Sequence, residues 1–285
     1  MLMVRSKFKV CELFGIPINV DISFAILLLL FATSQSSFTM GVAWALALAI
    51  SVTLHELGHS LAARSFGYGT RDITISLLGG CASLTALPKK AWQEFVTAFA
   101  GPAVSFGLAI VSIVALNLLG SEGGALELVW RILTGRVGLG SAGDMQVFVS
   151  GNAPIYACKA ELYWMVDLFI DFGCMNAMLG AFNLLPGFPM DGGRIFRSAM
   201  RAFMNRARAT FIAMWVGRGF AILLALSGLF AILRGGSWGV VRILIAWMIW
   251  REGMREYQMA LQEESWNRWT QDDFNARVSP PPYDR

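Results

Sequence analysis

Histidine is almost missing from this chain of 285 residues: it occurs twice, at His55 and His59. Charge is scarce as well, at 15% of residues against roughly 25% in an ordinary soluble domain. The four cysteines (Cys11, Cys81, Cys158 and Cys174) include no C-x-x-C pair. That pattern suggests neither a thiolate zinc site nor a disulfide framework. The formal net charge of +4 is small and dispersed, so no nucleic-acid partner is expected. No small-residue cleavage site follows the first apolar run, which therefore reads as a retained span and not a removed signal. What the chain has in excess is apolar side chain, 56% of its residues, and the class this implies is a polytopic membrane protein.

The hydrophobic runs predict about six membrane helices, near residues 16–34, 41–66, 91–119, 162–185, 210–233 and 238–250. Asn19 and Asp21 read as residues at the start of the first, and Gly101-Pro102-Ala103-Val104-Ser105 gives the third a face that admits a close neighbour. Between the second and third, Ile73, Ile75 and Leu77 alternate with Thr74 and Ser76. Gly79-Gly80 then offers a turn, and residues 81–87 can return. This predicts a small membrane-associated β-hairpin or re-entrant strand. Residues 120–160 are glycine-rich, mixed in charge and too short for a domain of their own. The expected fold class is therefore all-α and polytopic, with a transmembrane domain over residues 1–252 and a C-terminal tail over 253–285. That tail is expected to form a surface helix with a frayed end. Lys and Arg favour the N-terminus, residues 67–90, residues 192–208 and the tail as cytosolic.

Both histidines lie in one string, His55-Glu56-Leu57-Gly58-His59, inside the second predicted span. Four residues apart on a helix, they project from one face and can share a metal. The intervening Glu56 is then placed to take a proton from water beside it. The string sits some ten residues from the far end of its span, roughly 15 Å deep at 1.5 Å per residue. Ionisable groups at such depth are costly unless they serve a site. A catalytic zinc needs three protein ligands and one open position. With no third histidine, the third ligand is sought among the carboxylates. Asp191 is the choice, because two prolines precede it, two glycines that allow a tight turn follow it and its surroundings are apolar. Asp167 and Asp171, at i, i+4 spacing, are the competing carboxylates and read as interfacial or as part of an internal polar network. Asn183 carries a neutral amide that suits either an oxyanion and substrate-backbone contact or a plain helix–helix hydrogen bond. An exposed strand over Ile73–Leu77 would accept an extended peptide by β-augmentation, so Ile73, Ile75 and Leu77 join Asn183 as candidate substrate-positioning residues.

Three strings then resemble one family in order and spacing: His55-Glu56-x-x-His59, Gly101-x-x-x-Ser105, and Asn183-x-x-Pro186-x-x-Pro189-x-Asp191-Gly192. Over about residues 10–205 the chain resembles the site-2 proteases, zinc metalloproteases that cut other membrane proteins within the bilayer. It is similar to the compact six-span branch, which includes a sporulation protease that processes a pro-sigma factor. The resemblance implies one zinc ion held by His55, His59 and Asp191, with Glu56 catalytic and Asn183 positioning substrate. It further implies a membrane-protein substrate, with room for regulatory membrane partners, and it leaves the oligomeric state open. The other classes weighed are a zinc transporter, in which Glu56 would have no necessity, and a catalytically silent membrane scaffold.

Overall fold

Residues 16–21 alternate Ile16, Ile18 and Val20 with Pro17, Asn19 and Asp21, and in the computed structural model they form a strand. The start of the expected first membrane helix is corrected there: alternation of period two suits a half-buried strand, and Asp21 accepts from the Ser23 amide just beyond it. Helix begins only with residues 22–26, residue 29 being helical as well. The structure describes residues 7–26, 29, 38–76, 79–86, 88, 90–120, 122–124, 138–142, 145–150, 153–235 and 239–278. The chain divides into two units, Met1–Pro88 with Phe99–Phe182, and Lys89–Ala98 with Asn183–Arg285.

The first unit holds a sheet ordered β1 (Lys7–Leu13), β2 (Ile16–Asp21), β3 (Thr70–Ser76), β4 (Gly79–Leu84). β1 and β2 are antiparallel, joined through Phe14 and Gly15, both at positive φ (52° and 76°), as a tight two-residue hairpin requires. β2 and β3 run parallel, while β3 and β4 form the expected antiparallel hairpin. The placement of Ile73 and Ile75 differs from expectation. Their strand is interior, pairing Ile18 with Ile73 on one side and Ala82 with Ile73 on the other. Its backbone has no open edge for a peptide, and both side chains are buried with Ile16, Ile18, Phe24 and Leu57. The edge strand on this side is β4. Leu77, and most of residues 27–37, lie outside the described residues.

Helix α1 (Phe38–Ser65) follows the first two strands, and α2 (Ala91–Leu119) and α3 (Tyr163–Asn183) come after the hairpin. The hydroxyls of Ser51 and Thr53 bond the carbonyls of Ala47 and Ala49 one turn back, which satisfies them inside apolar surroundings. Between α2 and α3 lies a second sheet that the glycine-rich sequence concealed. Its antiparallel strands are ordered β5 (Glu122–Gly123), β8 (Ala153–Lys159), β7 (Met145–Ser150), β6 (Gly138–Ala142). Tyr156 anchors it: the ring packs with Leu116, Cys158, Val166 and Ile170, and its hydroxyl donates to the Leu116 carbonyl at 2.5 Å. Burial pushes that phenol up to about 12, so it remains a donor throughout the physiological range.

The second unit contains α4 (Asp191–Met200), α5 (Arg206–Leu233) and α6 (Gly239–Val278). Helices α5 and α6 pack as an antiparallel pair. A Cβ on Gly228 would meet the Gly239 carbonyl at 2.7 Å, and at the other end Arg206 pairs with Glu263 at 3.0 Å. Among the described residues four helices are long and apolar enough to cross a membrane: Gly41–Ser65, Ala91–Leu119, Trp164–Asn183 and Arg206–Leu233. Residues 239–250 of the sixth expected span are helical and open the 40-residue α6; Arg242 is the one charge among them, and the charged run begins at Arg251.

Asp72 ties the first sheet together. Burial pushes its carboxyl up, but hydrogen bonds from Ser83, Asn19 and Thr74 and the Lys7 ammonium outweigh this and hold it below the usual carboxylate range. The folded chain therefore binds this proton more weakly than the unfolded chain does. The stabilisation is present above about pH 4 and is lost as pH falls below it. Thermal melts between pH 5 and pH 3 are expected to steepen in the parent relative to Asp72→Asn; equal slopes would remove Asp72 from the account.

Candidate metal centre

His55 and His59 project from one face of α1, with ring centroids 4.9 Å apart and planes 79° to each other. Both are buried, at 3% and 5% exposure. The face opposite them on α2 has no side chain at the critical point. A Cβ on Gly101 would lie 2.7 Å from His55 Nε2 and closer still to His59 Nε2, so both ring nitrogens converge on bare backbone. Gly58 sets how near the helices come, since a Cβ there would meet the Ala100 carbonyl at 2.8 Å. One turn beyond Gly101, the buried Ser105 hydroxyl shares a 2.9 Å hydrogen bond with His55 Nδ1. That bond fixes the imidazole and presents Nε2 toward Gly101, the arrangement expected behind a metal ligand. Two oriented imidazoles around a space that one Cβ would fill suit a first-row metal of borderline softness, zinc above all.

Glu56 points to the sheet. Its Oε2 accepts the Ala82 amide of β4 at 3.1 Å, and Gly80 leaves the opening: a Cβ there would sit 2.8 Å from Val52 Cγ1 and 3.1 Å from Glu56 Cδ. An outward amide of the edge strand thus holds one carboxylate oxygen. Sequence reasoning took Gly79-Gly80 as a turn and missed Ala82. The only signal for it is a small-residue run, Gly79-Gly80-Cys81-Ala82-Ser83, opposite a helix bearing Glu.

Asp191 lies in the second unit as the first residue of α4, 7% exposed. Its carboxylate at a helix N-terminus is favoured by the dipole. The N-cap is Met190, without a side-chain cap hydrogen bond of its own, so Asp191 stands one position inside the helix. Gly192 and Gly193 are helical, where a turn was expected. They are bare because residues 184–187 fold back on them, and a Cβ on Gly193 would meet Gly187 C at 2.7 Å. The Phe188–Pro189 peptide is cis. Farther along α4, Arg197 is 2% exposed and donates through Nε to Glu94 Oε1 at 2.7 Å and through Nη1 to Glu256 Oε2 at 3.0 Å. Arg201 reaches the second Glu94 oxygen at 2.6 Å, and the Arg197 guanidinium lies 4.9 Å from the Phe188 ring centre. Sequence reasoning counted these arginines only as orienting charge. Asn183 is the last residue of α3 and half-buried. Asp167 and Asp171 are half-buried on α3 and, among the described residues, belong to no cluster of metal-donor side chains.

This geometry predicts that Gly101→Ala removes metal by steric occupation, lowering zinc affinity by about a hundredfold with helix content unchanged. Ser105→Ala, which only releases the ring, is expected to weaken it about tenfold. Competitive chelator titration of purified protein measures both, and full affinity in Gly101→Ala would reject the convergence as a metal cradle.

The chain matches the model of peptidase family M50 over residues 43–226. It is 30% identical to sll0528 of Synechocystis over 97% of this chain and 66% of that protein. It is 28% identical to the zinc metalloprotease MJ0392 of Methanocaldococcus jannaschii over 86% of this chain and 58% of that one. The chain thus spans somewhat less than two thirds of the length of these relatives. Its fold is similar to the solved site-2 protease from Methanocaldococcus jannaschii, with a TM-score of 0.57 and 26% identity over 88% of this chain and 95% of that one. With the family model matched over more than half of its length, the chain belongs to peptidase family M50.

Proposed function

We propose that this membrane protein is an intramembrane zinc endopeptidase that hydrolyses a peptide bond in or near a membrane segment of another protein. The observation that carries the reading is the convergence of both histidine Nε2 atoms on bare Gly101, beside a glutamate held by an edge strand. In this reading His55, His59 and Asp191 hold one zinc ion, Asp191 supplying the carboxylate that a chain with no third histidine requires. When bound, zinc supplies a Lewis acid that lowers the pKa of water toward about 7 and polarises a carbonyl.

Glu56 performs the proton transfers. Its Oε2 is fixed by Ala82, and the carboxylate takes a proton from water as the oxygen adds to the scissile carbonyl carbon. It then returns that proton to the amide nitrogen as the C–N bond breaks, and the second proton of the water passes from the new carboxyl to the amine, leaving a carboxylate and an ammonium. Asn183 holds the substrate backbone. A membrane helix hides its amides, so the substrate must be extended locally, and β4 takes the role first sought at Ile73–Leu77. As an edge strand with one outward amide already on Glu56, β4 would align an extended segment beside the general base. The distribution of Lys and Arg supports an orientation with both termini, and the site with them, toward the cytosol.

Co-expression with candidate single-span substrates tests the reading. Glu56→Gln is expected to retain zinc and to cleave about a thousandfold more slowly. Asp191→Ala is expected to lose zinc. Equal cleavage by the parent and both variants would reject the mechanism, and unchanged zinc affinity in Asp191→Ala would reject its assignment as a ligand.

A further inference from the structure

Arg218 lies within α5, buried to 8% exposure, between two indoles. Its guanidinium carbon is 5.1 Å from the Trp215 ring centre and 4.4 Å from that of Trp250. Stacking of this kind uses the two faces of the planar group and leaves its N–H donors in the plane. Among the described residues Nε has no hydrogen-bond partner and no carboxylate forms an ion pair with Arg218. The other buried arginine of this unit, Arg197, is paired with two glutamates. A guanidinium cannot shed its proton to escape burial, so an unpaired one calls for an anion. A fork held edge-on matches the oxygens of a phosphate.

The register of the helix pair says where that anion sits. Gly228 meets Gly239, Arg218 meets Trp250, Met214 meets Gly253, Phe211 meets Tyr257 and Arg206 meets Glu263. From Arg218 to the connecting turn, the stretch of α5 over residues 219–233 carries no charge. At about 1.5 Å per residue that is roughly 22 Å of apolar helix, most but not all of the ~30 Å hydrocarbon core of a bilayer. On α6, Arg242 lies in the first turn beside Gly228, near the connecting end, and the continuous charged run begins at Arg251, immediately after Trp250. Trp215, Trp247 and Trp250 are 52%, 55% and 42% exposed at this level, and Arg251 stacks over Trp247 at 5.5 Å. Exposed tryptophans with arginine where apolar helix gives way to charge mark the headgroup level of a bilayer.

We propose that Arg218, clamped by Trp215 and Trp250, binds a phosphate, with an anionic phospholipid headgroup as the source its position favours. This site involves none of the residues assigned to zinc or to proton transfer and stands independently of the proteolytic reading.

The test uses the full chain in nanodiscs of phosphatidylcholine, with and without phosphatidylglycerol, and a third arm of phosphatidylcholine with inorganic phosphate. Phenylglyoxal modification of Arg218, followed by peptide mass spectrometry, reads occupancy in the parent and needs no variant. Phosphatidylglycerol is expected to slow the modification about tenfold, as one or two charge-assisted hydrogen bonds would. Protection by inorganic phosphate to the same degree would keep the phosphate site but assign it to the free ion. Native mass spectrometry is expected to show retained phosphatidylglycerol in the parent, less in Arg218→Lys and about tenfold less in Arg218→Gln. Unprotected Arg218 in all arms, or equal lipid retention by the parent and a folded Arg218→Gln, would overturn the proposal.

Discussion

The metal centre begins with an absence: a helix bearing two imidazoles needs a neighbour with no side chain. Imidazole rings one turn apart on α1 fill the space in front of them, and any Cβ at position 101 would overlap their Nε2 atoms. Gly58 brings the α2 backbone near, Gly101 leaves the gap, and Ser105 turns His55 so that Nε2 faces it. The same device recurs across the sheet. Gly80 on β4 gives Glu56 the room to reach the Ala82 amide. Three bare positions therefore carry the geometry, because in apolar surroundings the helices gain from close van der Waals contact and small residues permit it.

In the second unit Asp191 is held by different physics. The segment before it doubles back on Gly192 and Gly193, and Met190 packs with Ala221, Ala246 and Ile249. Arg197, on the same short helix, joins Glu94 and Glu256 while stacking on Phe188. A buried ion pair contributes little net stability over an apolar replacement, because desolvation offsets the attraction. Its worth lies in geometry: it lets α4 settle in one position, and breaking it by removal of one partner costs about 3–5 kcal/mol. A short helix that begins with a buried carboxylate benefits from such an anchor two turns on.

Much of this was legible in advance, and the reasons are local. The span of α2 was read as residues 91–119, because a long apolar run between polar ends has one interpretation. The hairpin of β3 and β4 followed from alternation around a glycine pair. Alternation could not say which strand was the edge, since β2 pairs with β3 from more than fifty residues away. The same alternation in residues 16–21 was absorbed into the apolar run after it, so a strand was mistaken for the start of a membrane helix. The sheet of β5 to β8 was missed because its strands lie among glycines and its anchor, Tyr156, is recognisable only once Leu116 is beside it.

By itself, the sequence determined the candidate chemistry: two histidines and a glutamate at helical spacing, no third histidine, and an aspartate after a proline-broken helix. Ligand type, spacing and the apolar setting are properties of short strings, and helical periodicity translates them directly. Only the tertiary structure decided what stands against those strings. It placed bare Gly101 before the rings, Ser105 behind one of them, the Ala82 amide on Glu56 and two indoles on Arg218. Each of those partners comes from a separate element, and contacts between distant segments are set by packing, which no local pattern encodes.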